Sequence, residues 1–213
     1  MAGHFDRYTT ILSYISYYSG YQYELYQHGI IASVQVPQKI YCTRFHVFDE
    51  IEMEKVKAFI LNMDCIFEFD KFIPTFEWSI FSKKQNKKII CFASQDKHTK
   101  ISIILIRELL KIIKNTDCIL IIYPHYAEKK NAYRKFRKNS QIVVEKEKRY
   151  KNVDCLITFY SSLAYDYFSI NDSIPVFCYK ICGYDASYYL KSNVCVINNM
   201  NTLCKRVESF INE

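Results

Sequence analysis

The stretch "VDCLITFYSSLAYDYF", residues 153–168, decides the fold. From Val153 to Phe159 it is almost continuously apolar, the composition of a strand buried on both faces of a parallel sheet. Two serines follow, and a helical pattern then runs from about 161 to 170. A buried strand that passes through a short polar turn into a helix is half of a strand–helix–strand unit.

The same alternation extends outward on both sides. Upstream, "KIICFA" at 88–93 reads as a buried strand. Over 98–115, Ile101, Ile104, Leu105, Leu109, Ile112 and Ile113 stand near helical spacing. "DCILIIY" at 117–123 is a second strand, 128–138 a second helix, and "QIVV" at 141–144 a further strand. Downstream, "PVFCY" at 175–179 and "NVCVIN" at 193–198 read as strands, and a last helix covers 199–211. Repeated units of this kind predict an α/β fold, a Rossmann-like parallel sheet flanked by helices on both faces. Residues 88–213 are assigned to that domain.

The remainder is less regular. Within 1–50 the pattern gives a tyrosine-rich helix near 8–19, a strand at 22–26 and another at "TRFHVF", 43–48. Between 62 and 87, with Pro74, Trp78 and the basic "SKKQNKK", periodicity is poor, so 51–87 is read as a linker and irregular segment. The chain has only four glycines and neither a GxGxxG nor a GxxxxGKS loop, which argues against a dinucleotide-dependent dehydrogenase or a P-loop enzyme.

Composition sets the remaining bounds. Half of the residues are hydrophobic, as in an ordinary globular protein. The opening "MAGHFDRYTT" shows no secretory signal, and runs such as "ISIILI" at 101–106 fall far short of the roughly 20 apolar residues of a membrane-spanning helix. Nine cysteines are scattered without a framework, which points to reduced thiols and a cytoplasmic location. Cys178 and Cys182 lack a second pair or a histidine partner, so no metal site is expected. The net charge of +7 is concentrated between Lys129 and Lys151. That segment reads either as peripheral contact with an anionic membrane surface or lipid phosphate, or as a solvated helix face. In the second reading Tyr133 and Phe136 are buried, with Lys130, Arg134 and Arg137 outward. Nucleic acid is set aside, because those aromatics look buried rather than offered for stacking.

Ligands of parallel α/β sheets bind beyond the carboxyl ends of the strands. Four strand ends release small polar or titratable groups there. Gln27, His28 and Gly29 follow 22–26. Ser94, Gln95 and Asp96 follow 88–93. Pro124 and His125, then Glu128, follow 117–123, and Ser161 and Ser162 follow 153–159. The serine pair opens a helix, where free backbone N–H groups and the helix dipole favour an anion; the pair reads equally as plain helix capping. His125 reads as a phosphate donor or as a structural loop histidine. Gly29 lets backbone approach a ligand closely beside His28.

With these residues in place, the chain resembles bacterial GT-B-fold glycosyltransferases of capsule and O-antigen (lipopolysaccharide) synthesis. The likeness is to their C-terminal nucleotide-binding half, in the group that includes sialyl- and Kdo-type transferases and the glycerophosphotransferases of teichoic acid synthesis. "YQHGII" at 26–31 resembles the family's Gln-His-Gly segment near the inter-domain cleft. "IIYPHYAE" at 121–128 resembles a strand followed by Lys-Pro-His-Pro. "LITFYSSLAYDYFSINDSIPVFCY" at 156–179 resembles the strand–Ser-Ser–helix unit and its following Pro-Val strand. The resemblance implies that Ser161, Ser162 and His125 hold the donor phosphates. It also implies that His28 faces the cleft, as a phosphate donor or as the base at the acceptor hydroxyl. Gln27, Gly29, Gln95, Asp96 and Glu128 are then cleft-lining.

The implied reaction moves a sugar or sugar-like group from a nucleotide-sugar donor to a surface polysaccharide or lipid-linked acceptor. No cofactor and no metal are expected, since no DxD-like pair is evident. Tyr123 stands where the family has lysine and Tyr126 replaces the second proline, which weakens charge at the phosphate subsite. The acidic segment that supplies the base in related sialyltransferases is not recognisable. Residues 1–50 are too few for an acceptor domain and read as its remnant or end. The alternative is therefore a non-catalytic or degenerate subunit that needs a partner transferase or a second copy of itself.

Overall fold

The structure is a computed structural model and describes residues 7–27, 39–69, 77–82, 87–129, 131–181 and 193–213. The chain divides into two compact units, residues 1–72 and 73–213.

In the first unit, helix α1 (Arg7–Ser19) is stopped by Gly20, whose φ of 72° is readily open only to glycine. Tyr21 N–H donates to Ser16 O and Gly20 N–H to Tyr17 O, which closes the helix in a Schellman motif. Strands β1 (Glu24–Tyr26) and β2 (Arg44–Val47) follow, then helix α2 (Glu50–Lys57) and strand β3 (Ile66–Phe69). The three strands form a parallel sheet in the order β1-β2-β3. Ile40, Cys42, Phe45, Val47 and Val56 make its small core. The Asp49 side chain caps α2 by accepting from Glu52 N–H. Helix α2 and strand β3 lie inside the stretch whose sequence pattern suggests a linker. Strand β3 escapes that pattern because it is a half-exposed edge with an acid in it: Glu68 pairs with Arg44 at 3.0 Å across the ladder.

The second unit opens with β4 (Trp78–Ser79) and β5 (Ile89–Ala93), followed by α3 (Thr99–Ile113), β6 (Ile119–Tyr123), β7 (Ile142–Val144) and β8 (Arg149–Tyr150). It continues with β9 (Cys155–Thr158), α4 (Leu163–Ile170), β10 (Val176–Tyr179), β11 (Val194–Ile197) and α5 (Met200–Asn212). Six strands make one parallel sheet in the order β11-β10-β9-β5-β6-β7. The chain builds outward from β5 to β7, returns to the other side of β5 with β9, and continues to β11. Strand order thus reverses between β5 and β9. This is the Rossmann-like α/β sheet that the apolar runs predict.

Alternation along the central strands sorts the two faces. Ile90, Phe92, Leu120, Ile122, Cys155 and Ile157 pack with Leu105, Ile106 and Leu109 of α3 and with Leu203 and Val207 of α5. On the opposite face, Tyr167 of α4 lies within reach of Tyr123. All five residues of β5 are buried, as a strand covered on both faces requires. A separate two-strand ladder pairs β4 with β8.

One predicted helix is corrected. Over 128–138 the backbone forms turns and a short 3-10 helix, Arg134–Lys138. Tyr133 and Phe136 are buried, as the sequence suggests, but three residues per turn bring an i,i+3 pair onto one face. The start of the predicted helix is drawn out of shape by Glu128, whose side chain turns inward to collect hydrogen bonds. Arg134, Lys135, Arg137 and Lys138 are exposed. Among the described residues, no helix is long and apolar enough to cross a membrane.

Candidate functional site

The reversal of strand order between β5 and β9 opens a crevice at the carboxyl ends of the strands, and a cavity of about 200 Å³ lies there. Strand β5 contributes Ala93 and Ser94 to it, β6 contributes Tyr123, Pro124, His125 and Tyr126, and the start of α4 contributes Ser161, Ser162, Leu163 and Asp166. Arg149 of β8 closes the lining. Three of the four polar strand ends picked from sequence therefore meet in one place.

The helix start is asymmetric. Ser162 holds the N-cap position but makes no side-chain capping bond. Ser161 takes that task, its Oγ accepting from Leu163 N–H at 3.3 Å, while its own N–H donates to Thr158 Oγ1 at 3.0 Å. Capping thus explains one serine and leaves the hydroxyl of the other at the cavity wall. At half-buried His125, Nδ1 accepts from Ala127 N–H at 3.3 Å. In a neutral ring this bond places the proton on Nε2, as a donor.

Glu128 lies beneath the loop and is not part of the cavity wall. Buried to 6% exposure, it accepts from His125 N–H at 2.9 Å, Thr99 Oγ1 at 2.8 Å, Tyr133 Oη at 2.6 Å, and Ser94 Oγ. It is a positioning residue: four donors from four elements converge on one carboxyl group and set the height of His125. Gln95 is buried and Asp96 exposed just beyond Ser94, and neither reaches the cavity. Gln27 belongs to the first unit, where its amide donates to Glu52 Oε2 at 2.5 Å and accepts from Phe48 N–H at 3.0 Å. His28 and Gly29 lie outside the described residues.

Sequence reasoning passed over two charged lining residues. Asp166 is 4% exposed, and its Oδ1 has no hydrogen-bond partner among the described residues. Burial pushes its carboxyl up to about 7, offset in part by the charge of Arg149. The one available signal was its spacing: it follows Ser162 by four residues, on the same face of α4. Arg149 was hidden in the basic run. Its guanidinium sits over the Tyr123 ring, 4.6 Å from the centroid.

The six-strand Rossmann-like sheet carries a small polar pocket at its switch point, the place where ligands of open α/β sheets bind. Residues 72–208 match the family model described as CDP-Glycerol:Poly(glycerophosphate) glycerophosphotransferase, and the chain belongs to that family. Among solved structures, the wall teichoic acid polymerase TagF is 16% identical and superposes with a TM-score of 0.54 over 90% of this chain and 58% of its own. TarM is 14% identical with a TM-score of 0.50, over 80% of this chain and 37% of its own. A structure of accessory secretory proteins 1, 2 and 3 in Streptococcus pneumoniae is 15% identical with a TM-score of 0.50, over 81% of this chain and 37% of that one. The chain thus spans between 37% and 58% of the length of these structures. No individual curated protein sequence matches it.

Two predictions follow from this geometry. In Glu128→Gln the amide oxygen can still serve His125 N–H and Ser94, and the hydroxyls of Thr99 and Tyr133 can turn to accept. In Glu128→Ala, four donors lose their acceptor. Urea unfolding is expected to show a loss of about 1 kcal/mol for the glutamine and about 3 kcal/mol or more for the alanine. For Asp166, the folded protein keeps a proton up to about pH 7, whereas the unfolded chain releases it near the ordinary carboxylate value of about 4. Between these values the native state binds more protons, so this group's contribution to stability falls as pH rises. Asp166→Asn removes that dependence, and its stability advantage over the parent should widen by roughly 2–3 kcal/mol between pH 5 and pH 8.

Proposed function

We propose that the chain is the donor-binding part of a transferase that moves a group from a nucleotide-activated donor to a bacterial cell-surface polymer. The observation that carries this reading is the gathering of His125, Ser161 and Ser162 around one cavity at the switch point of the sheet. At about 200 Å³ the cavity is smaller than the roughly 300–1,000 Å³ pockets that enclose whole ligands, and it suits the phosphates of a donor whose remainder lies outside. The family description names CDP-glycerol, which makes a CDP-linked donor the first choice. The family and the teichoic acid polymerase neighbour favour a teichoic-acid-type polymer over capsule or O-antigen.

In a glycerophosphate transfer, an acceptor hydroxyl attacks the distal phosphorus. The bond from that phosphorus to the bridging oxygen breaks, and CMP leaves with the electron pair. In a glycosyl transfer the nucleoside diphosphate leaves instead. Both place growing negative charge on phosphate oxygens. The Nε2–H of His125, the hydroxyl of Ser162 and the N-terminal dipole of α4 answer that charge. Deprotonation of the acceptor falls to His28 in this reading. The reaction is proposed to need no divalent cation and no cofactor. The exposed cations of 129–151 are proposed to meet anionic lipid, which would hold a cytoplasmic protein near its acceptor.

A second reading has one observation in its favour: the chain covers 37% to 58% of the length of the three structures named above. A subunit that binds donor and relies on a partner chain for the rest of the cleft fits that fact. The two readings divide on whether the chain alone turns over CDP-glycerol in the presence of a polymer acceptor.

The experiment is a thermal-shift screen with CMP, CDP, UDP, GDP and TDP, in EDTA. A cytidine nucleotide is expected to raise Tm by about 5–10 °C at a hundredfold excess over Kd. Ser162→Ala and His125→Ala should abolish that shift while leaving the unliganded Tm almost unchanged. Ser161→Ala should also lower the unliganded Tm, because its hydroxyl caps α4. No shift with any nucleotide would overturn the donor-site assignment.

A further inference from the structure

Resting on the donor-phosphate reading above, we infer that Arg149 is the cation of this phosphate site, supplied by β8 and aimed by the face of Tyr123. Among the described residues that line the cavity, it carries the sole permanent positive charge. Two or three phosphate oxygens in a partly enclosed space require more than hydroxyls and a helix dipole. A guanidinium, with its planar fork of donors, is the side chain best matched to them.

The restraint on Arg149 sets it apart from the lysines and arginines around it. Lys148 and Lys151 are exposed, whereas Arg149 is turned inward. Its Nη1 donates to Lys146 O at 3.1 Å and Lys148 O at 3.3 Å, and its guanidinium lies over the Tyr123 ring. The backbone that carries it is fixed from both sides. Strand β8 pairs with β4, so that Arg149 stands opposite Trp78. Next to it, Tyr150 N–H donates to Tyr123 Oη at 3.0 Å, and Tyr150 O accepts from Tyr167 Oη at 3.0 Å. A solvated arginine in a basic run needs no such seat, whereas a preorganised ligand contact does.

The position of Tyr123 fits the same assignment. It stands at the end of β6, in the wall of the cavity. A tyrosine there cannot neutralise phosphate, but its ring can hold a guanidinium that arrives from β8. Asp166 faces the same space. Burial raises its carboxyl to about 7 against the opposing charge of Arg149, and a bound phosphate would favour its protonated form.

The test is isothermal titration of the full chain with inorganic pyrophosphate and with CDP. The variants are Arg149→Gln, which keeps a planar amide over Tyr123 and a donor for the carbonyls but removes the charge, and Arg149→Lys, which keeps the charge alone. Both ligands are expected to bind about 10- to 100-fold more weakly to the glutamine variant, and the lysine variant, which keeps the charge without the fork, is expected to lose clearly less. The parent's affinity should fall with added salt more steeply than that of the glutamine variant. Glutamine-variant affinity within twofold of the parent would overturn the assignment. So would equal losses in both variants, which would mark the residue as structural. If the parent binds pyrophosphate but not CDP, and the glutamine variant loses it, the cation site stands and the nucleotide-donor reading fails. If the parent binds neither, both are overturned.

Discussion

Reversal of strand order in a parallel sheet leaves two neighbouring strands whose onward chains depart in opposite directions, and nothing covers the space between them. In this molecule those strands are β5 and β9, paired from Ile90–Cys155 to Ala93–Thr158. Most of the cavity lining is placed by that one event, Arg149 of the separate β4–β8 ladder excepted. Ser94 stands just past β5, the Tyr123–Tyr126 loop past its partner β6, and Ser161 and Ser162 past β9. The crevice comes from topology before any side chain is chosen. Residue types then decide what it can hold, and here they are hydroxyls, an imidazole, one guanidinium and one buried carboxyl group.

Two polar clusters turn that crevice into a site of fixed geometry. Glu128 draws Ser94, Thr99, His125 and Tyr133 together from below, so the height of the His125 loop is set by buried hydrogen bonds. Opposite, Tyr123 and Tyr167 bracket Tyr150 through its N–H and its carbonyl and thereby hold β8. Buried polar groups of this kind are costly when unmet and rigid when satisfied. The first cluster places an imidazole and the second a guanidinium, on two sides of the same space. Tyrosine is abundant throughout this chain, yet at these positions its hydroxyl and its ring are both used.

The legible and illegible parts of the sequence divide along burial. The central strands of the main sheet announce themselves because a parallel strand covered on both faces must be apolar throughout, and "KIICFA" and "CILIIY" can be little else. Helix α3 is equally plain from its spacing. Strand β3, with Glu68 on a half-exposed edge, and the two-residue strands β4 and β8 carry no such mark, since their existence depends on partners distant in sequence. The predicted helix at 128–138 fails for a related reason: its charged residues suit a helix, but the tertiary pull on Glu128 outweighs local preference. At the site, Ser161, Ser162 and His125 were visible as polar groups at strand ends. Arg149 was not, because one inward-facing cation cannot be told from its outward-facing neighbours by sequence alone. Gln27, another polar residue at a strand end, ties β1 to Glu52 and Phe48 within its own unit.

The seat of Arg149 on β8 bears on how such an arrangement tolerates change. A lysine at the end of β6 would reach phosphate on its own flexible stem, independent of its surroundings. An arginine from β8 depends on the β4 ladder, on Tyr150, and on an aromatic ring at the very position a lysine would occupy. The two solutions exclude one another, because a lysine at 123 would remove both the ring that seats the guanidinium and the hydroxyl that holds Tyr150 N–H. A site built this way is therefore coupled. Tyr123, Arg149, Tyr150 and Tyr167 form a single unit, in which Arg149 is the last of several residues that must be in place.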